Sequence, residues 1–366
     1  MSKAAYKRPI TFLNYIHTMK LSNFKFELPA HSIAQYPIEG KEEARLMVVH
    51  KNSGKIEHKT FKDLPTYFSE GDTLVVNDSK VLPCKLYGCK EKTNAEVEVL
   101  LLRKLNDEHG LWDTIVEPAR KIRIGNKIYF GNGELVAEII DNTTSRGRTL
   151  KLLFDRTEEE FYALVNQIGH MPLPPQIGRS SEPEDRAYYQ TIFAQNIGSI
   201  VLPAAGLHFT PYLLKYLALQ NISVVPVTLH IGLGELSTID MEDLTKVRAS
   251  SERFTITPET ATVVNHSLQH QKKVCAVGTS VLRAMESSVS VACQIKPASD
   301  WTNKFILPSY SFKVCSALLT TFHLPSSISL VSVAAFGGEE LILNAYAEAI
   351  KEGYRFFLYG DSMLII

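Results

Sequence analysis

Gly198-Ser-Ile-Val-Leu-Pro-Ala-Ala-Gly-Leu-His-Phe-Thr210, followed by Val227-Thr-Leu-His-Ile-Gly-Leu-Gly-Glu235, is the stretch whose reading decides the fold. Each half reads as an apolar strand that runs into a loop carrying a histidine and small residues. Between them, Pro211–Gln220 has leucines at three- and four-residue spacing, and Pro211 suits the first turn of a helix. Strand, loop, helix, strand, loop predicts a βαβ unit. A right-handed crossover would put both loops on one edge, beyond the carboxyl ends of neighbouring parallel strands. His208 and His230 are then expected to face one crevice, beside glycines that let a ligand approach the backbone.

Composition bounds the function classes. The 366 residues suffice for two domains, and 45% apolar with 21% charged residues is ordinary for a globular protein. Lys and Arg balance Asp and Glu at 39 each, so no global field draws the chain to nucleic acid or membrane, and any RNA contact must be a local patch. Cys84, Cys89, Cys275, Cys293 and Cys315 form a scattered, odd set, which suits free thiols in a reducing cytosol better than disulfides or zinc. There is no apolar run of membrane-spanning length, and a cytoplasmic location is expected. Residues 1–18 lack the apolar core of a signal peptide and precede Met19-Lys-Leu-Ser22, so they read as a disordered extension or an upstream start.

Outward from the central stretch, Arg45–His50 and Ile56–Phe61 read as a hairpin around Asn52-Ser-Gly54. From Thr73 to about Phe154 the chain is short strands and turns, among them Leu74–Asn77, Val97–Leu102, Trp112–Val116, Lys127–Phe130, Leu135–Ile140 and Leu150–Phe154, with Gly131-Asn-Gly133 as a hairpin signal. This predicts an antiparallel β-barrel over residues 72–156, inserted into an α/β domain with a mixed or parallel sheet built from 19–71 and 157–366. In the second part, Thr157–Ile168, Pro258–His270 and Glu339–Glu352 read as helices, Lys273–Val277 and Ser329–Phe336 as strands, and Gly278-Thr-Ser280 opens a helix through Ser287. From Lys80 to Lys151 there are thirteen Lys or Arg against ten Asp or Glu, densest at Arg120, Lys121, Arg123 and Lys127. That cluster reads equally as a solvated rim or as an RNA contact.

Several constellations point to chemistry. Gly278-Thr-Ser280 at a strand–helix junction offers free N–H groups and a positive dipole end, a ready anion site. Arg283, one turn on, either adds a bidentate contact or pairs with Glu286 structurally. Gly232-Leu-Gly234 has Ser237 where a dinucleotide fingerprint needs its third glycine. His208, His230 and His323 sit at strand–loop junctions, where one is expected to act as acid or base near neutral pH, and their spacing matches no metal motif.

Taken together, Leu21–Leu28, Ile33-Ala-Gln-Tyr-Pro37, Ala44-Arg-Leu46, Met171–Pro175, Tyr189-Gln-Thr191, Ala205–Thr210, Val227-Thr-Leu-His230, Phe322-His-Leu-Pro325 and Tyr354–Asp361 make a chain that resembles the S-adenosylmethionine:tRNA ribosyltransferase-isomerases of queuosine biosynthesis. The resemblance runs from Met19 nearly to the end. It implies transfer and isomerisation of the ribosyl part of S-adenosylmethionine onto 7-aminomethyl-7-deazaguanine in a tRNA anticodon loop. Epoxyqueuosine forms, and adenine and methionine are released. It also implies S-adenosylmethionine as co-substrate with no resident cofactor or metal, and a monomer. On this basis His230 is the first choice of base, with His208 as a second catalytic histidine. Gly206, Phe209, Thr210, Gly232, Gly234, Gly278, Thr279, Arg283, Tyr310 and His323 are expected to bind substrate, with Phe209 and Tyr310 facing the sulfonium and Gly278–Arg283 the methionine carboxylate. The chain departs from the family's pattern at polar positions. It has Pro203-Ala-Ala-Gly206 for Pro-Thr-Ala-Gly, Gly234-Glu-Leu236 for Gly-Thr-Phe, Trp301-Thr-Asn303 for Trp-Thr-Asp, and Thr320-Thr-Phe-His323 for Thr-Asn-Phe-His. A paralogue with another acceptor, or a non-catalytic RNA-binding protein of the same fold, are the alternatives these departures leave open.

Overall fold

The computed structural model describes residues 19–106, 110–155 and 157–366, so the expectation for residues 1–18 lies outside the described residues. The large domain is built on β1 (Arg45–Val49), β2 (Ile56–Thr60), β3 (Thr73–Asn77) and the short β4 (Ser79–Val81). The chain then leaves for the strands β5 (Lys85–Lys90), β6 (Glu96–Asn106), β7 (Leu111–Glu117), β8 (Lys127–Phe130), β9 (Leu135–Asn142) and β10 (Gly147–Leu153). These six close into an antiparallel barrel in the order β10-β7-β6-β5-β8-β9. It returns through β11 (Asn196–Ser199), β12 (Ser223–Leu229), β13 (Glu252–Ile256), β14 (Val274–Val277), β15 (Ala298–Thr302), β16 (Ala317–Thr321) and β17 (Ser362–Ile365). The large sheet has nine strands in the order β15-β13-β12-β3-β14-β16-β17-β1-β2. A mixed α/β domain interrupted by a closed barrel is therefore the architecture.

Helices α1 (Glu158–Ile168), α2 (Asp185–Tyr188), α3 (Pro211–Leu219), α4 (Pro258–Gln269), α5 (Thr279–Ser287), α6 (Ile328–Gly337) and α7 (Glu339–Lys351) complete the fold. Local chemistry starts most of them. Thr157 and Glu160 form a reciprocal capping box on α1, and Thr210, Thr257 and Ser327 each accept a backbone N–H at the starts of α3, α4 and α6. The buried apolar residues divide into a cluster on each face of the large sheet and a third inside the barrel.

Four expectations are corrected. Leu74–Asn77 is not a barrel strand: β3 lies at the centre of the large sheet, parallel to both β12 and β14. All five of its residues are buried, and a continuous apolar run suits a parallel strand covered on both faces. The barrel strands begin only at Lys85 and end at Leu153, and Phe161, Leu164 and Val165 of α1 pack into the barrel core rather than into the α/β domain. The predicted βαβ unit does not form either. β11 pairs with β4 in a separate two-stranded ladder, whose register breaks between Ile197 and Ser199, and the parallel partner of β12 comes from before the barrel. Gly198 at φ +152° bends β11, and Ile200–Leu202, although buried, runs on as irregular chain into donor-less Pro203. Finally, Ser329–Phe336 is helix α6. Its apolar residues face inward all round, so neither a two-residue nor a 3.6-residue alternation marks it in the sequence.

Candidate active site

Strands β3, β12, β14 and β16 run parallel, so their carboxyl ends share one edge of the sheet. Open α/β sheets bind ligands beyond such an edge, where loops diverge. Asn77, the last residue of β3, clamps it: its Nδ2 donates to Leu229 O (2.9 Å) and to Ser280 Oγ (3.3 Å), and its Oδ1 accepts from Leu229 N (3.1 Å). Two openings lie on this edge and share no lining residue.

The first is a crevice of about 730 Å³, counting the solvent at its mouth. Val201–Ala205, Ile231, Phe357 and Leu358 make its apolar walls, and Gly278–Ser280, Thr320, Thr321, His323, Ser329 and Glu235 supply polar groups. Gly278 turns β14 into α5 at φ +103°, a conformation natural to glycine, and brings no side-chain cap to the helix start. The first turn of α5 therefore presents its N–H groups toward the crevice. His323 Nε2 lies 2.8 Å from Thr320 Oγ1, and its backbone N–H donates to Tyr346 Oη (3.0 Å). Burial pushes the His323 imidazole down to about 4, so the ring is neutral at pH 7.

Glu235 stands on a short turn, Leu233–Leu236, whose Leu233 packs on the barrel core. Its Oε1 accepts from the Ser329 hydroxyl, and its Oε2 is 3.9 Å from Arg283 Nη1. Burial holds this carboxyl above its usual range, against the pull of Arg283 and of the Thr279 hydroxyl. Arg283 also contacts Glu252, whose Oε1 accepts from Gly232 N (2.7 Å).

The second opening, about 770 Å³ by the same measure, is lined by Asp78, Asn196, Thr228, His230, Arg253 and Thr257 among others. Asp78 accepts from Thr228 Oγ1 (2.6 Å) and from Asn196 Nδ2 (2.9 Å). The His230 ring lies over Gly198, where any Cβ would collide with it, and its Nδ1 is buried without a partner. Burial lowers its pKa, Arg253 lowers it further, and Asp78 opposes them.

The structure brings Gly278, Thr279 and His323 together in the crevice and places the other expected residues elsewhere. His208 does not face it: the ring is buried against Phe61, with Nε2 2.8 Å from Gly360 O. Phe209 is buried between Phe61 and Phe193, and Thr210 caps α3 and donates to Glu42. Gly206 packs against Phe193, and Gly234 against Ser250. Gly232 N–H donates to Glu252 Oε1. Tyr310 donates to Glu286 Oε2 (3.1 Å), away from the crevice. Arg283 is neither a free clamp nor a partner of Glu286: it is buried between Glu235 and Glu252, because Glu286 is occupied by the N–H groups of Lys313, Val314 and Cys315. Arg120, Lys121 and Arg123 are exposed. They sit at the barrel end remote from Lys85, where Lys90 at the far end of β5 reaches Lys121 O (3.0 Å). Sequence reasoning did not single out Ser329, Asn196 and Arg253, which line the two openings, or Glu252 behind them, and it met Asp78 and Thr320 only as departures from the family's pattern.

Comparison with known proteins agrees with this architecture. A family model described as queuosine biosynthesis protein matches residues 21–365. The S-adenosylmethionine:tRNA ribosyltransferase-isomerase of Amoebophilus asiaticus is 62% identical over 95% of this chain and 100% of its own length. That of Cytophaga hutchinsonii is 53% identical with the same coverage. The crystal structure of the S-adenosylmethionine tRNA ribosyltransferase from Thermotoga maritima aligns at a TM-score of 0.52 and 30% identity, covering 94% of this chain and 100% of that one.

Proposed function

The chain belongs to the queuosine biosynthesis protein family, and from that premise we propose that it is an S-adenosylmethionine:tRNA ribosyltransferase-isomerase whose donor site is the crevice at the carboxyl ends of β3, β12, β14 and β16. It transfers and isomerises the ribosyl group of S-adenosylmethionine onto 7-aminomethyl-7-deazaguanine in tRNA, and releases adenine and methionine. The observation that carries this reading is the juxtaposition in one crevice of an uncapped helix start, a neutral imidazole and apolar walls.

Each part has a task. The first turn of α5, at Thr279 and Ser280, takes the methionine carboxylate, since free N–H groups and the helix dipole favour an anion there. Val201, Leu202, Ile231 and Phe357 enclose the adenosine. The sulfonium acidifies the adjacent ribose C5′ proton, and the His323 imidazole, kept neutral by burial and oriented by Thr320, accepts it. We assign the base to His323 rather than to His230, whose ring opens onto the second cleft. That cleft, with exposed Arg253 at its rim, suits the tRNA, with Arg120, Lys121 and Arg123 as a further phosphate contact. No single helix among the described residues is long and apolar enough to cross a membrane. We place the reaction in the cytoplasm, carried out by a monomer.

The test is adenine and methionine release from S-adenosylmethionine by the purified chain, with tRNA carrying the aminomethyl-deazaguanine and with tRNA lacking it. Release only with the first tRNA supports the reading. Binding of S-adenosylmethionine without modification of that tRNA points to another acceptor, and no binding removes the enzyme reading.

A further inference from the structure

Among the described residues that line the crevice, only Glu235 and His323 have ionisable side chains, and none is Lys or Arg. His323 is neutral at pH 7. Behind the wall, Glu235 and Glu252 share a single cation, Arg283, whose side chain is 8% exposed, against 4% for Glu252 and 18% for Glu235. One positive charge against two carboxylates leaves the cluster one negative charge in excess. Glu252 is the better paired: Arg283 touches it directly and Gly232 donates to it, whereas Arg283 stays 3.9 Å from Glu235. The excess charge therefore sits on the carboxylate that borders the crevice. An uncompensated carboxylate in such a place is costly, and either a proton or a cation from the ligand relieves it.

We propose that Glu235 is the residue that recognises the positive charge of the ligand, lying against the sulfonium of S-adenosylmethionine and making the crevice selective for a cationic donor. This rests on the donor-site reading above. A trialkylsulfonium has no N–H or O–H to donate, so its charge is read by an apposed anion and not by a hydrogen bond. The neutral thioether S-adenosylhomocysteine keeps the same nucleoside and amino acid and lacks only that charge and the methyl group. The groups that face Glu235 are Thr279 and Arg283 from α5, Ser329 from α6, His323 beyond β16, and, through Arg283, Glu252 from β13. A bound cation opposes protonation of Glu235 and of His323 alike, but the imidazole, held down to about 4 by burial, stays neutral over the pH range above that value.

The experiment is calorimetric binding of S-adenosylmethionine and S-adenosylhomocysteine to the full chain and to its Glu235→Gln variant, over a range of pH. The wild type is expected to prefer the sulfonium by on the order of 10–100-fold, the effect of an opposite charge within a few ångströms. That preference should fade as falling pH protonates Glu235, while thioether binding stays level. In Glu235→Gln the preference is lost at every pH and thioether affinity is retained. A variant that keeps the preference overturns the proposal. So does a wild-type preference that is absent or independent of pH, a result that needs no variant to fold. If the wild type binds neither ligand, the donor-site reading falls, and this proposal with it. Binding of both ligands equally sinks only the role of Glu235.

Discussion

Replacing Asp185 with Asn tests how the wall of the crevice is held. Asp185 is fully buried and Arg179 is 10% exposed, and the two form a two-pronged pair with both N···O distances at 2.7 Å. Asp185 also accepts from Glu182 N (2.8 Å) and from Tyr359 Oη (3.2 Å), and Tyr359 directly follows Phe357 and Leu358 of the crevice wall. The Asn side chain keeps the shape but leaves the guanidinium buried without its anion. Breaking a buried pair from one side costs about 3–5 kcal/mol, and the Tyr36 ring 4.0 Å from the guanidinium puts the value at the lower end. At about 2.1 cal/mol/K of unfolding entropy per residue, a chain of 366 residues shifts by roughly 1–2 °C per kcal/mol, and the midpoint of thermal unfolding should fall by about 3–6 °C at pH 7. The double variant Arg179→Met with Asp185→Leu, which removes both charges, should recover most of that loss. The pH dependence has a fixed sign. Burial raises the Asp185 pKa, but the Arg179 hydrogen bond, the Glu182 N–H and the Tyr359 hydroxyl outweigh it and hold the carboxyl below its usual value. Its contribution is thus complete above the unfolded pKa and is lost as pH falls through the lower folded one. The deficit of Asp185→Asn should be constant from neutral pH down to about pH 4 and shrink only below that. A drop under about 2 °C, or no recovery in the double variant, would refute a buried tether.

Further outcomes follow from the site. His323→Asn should lower turnover by about 10²–10⁴ while leaving S-adenosylmethionine binding within a few-fold, as measured by single-turnover adenine release and calorimetry. His230→Asn should instead raise KM for tRNA with little change in kcat, and a loss confined to kcat would return the base to His230. Gly278→Ala has room for its Cβ, with Ala205 at 3.5 Å, but forces φ +103° on an L residue. It should cost about 1–3 kcal/mol in stability, read by chemical denaturation, and weaken binding of the methionine carboxylate. Changing Arg120, Lys121 and Arg123 together to Gln should flatten the salt dependence of tRNA affinity by about two to three units of slope, and an unchanged slope would confine the RNA to the large domain.

What the sequence determined by itself was local or chemical. Turn residues such as Gly131-Asn-Gly133 and caps such as Thr157 and Thr257 act within a few residues, so the barrel hairpins and helices α1, α4 and α5 were legible. Gly278, Thr279 and His323, which the sequence places at the ends of apolar strands, do come together in the lining of one crevice. Only the tertiary structure could assign partners. The apolar run Thr73–Asn77 suits a barrel or a sheet equally until β12 and β14 flank it. Helix α6 is buried all round and carries no period to read. The fate of His208 depends on Phe61 and Gly360, each more than a hundred residues away in the sequence, and that of Arg283 on Glu235 and Glu252. Burial and long-range pairing decide whether an ionisable side chain meets a ligand or another residue, and both arise only when distant segments pack together.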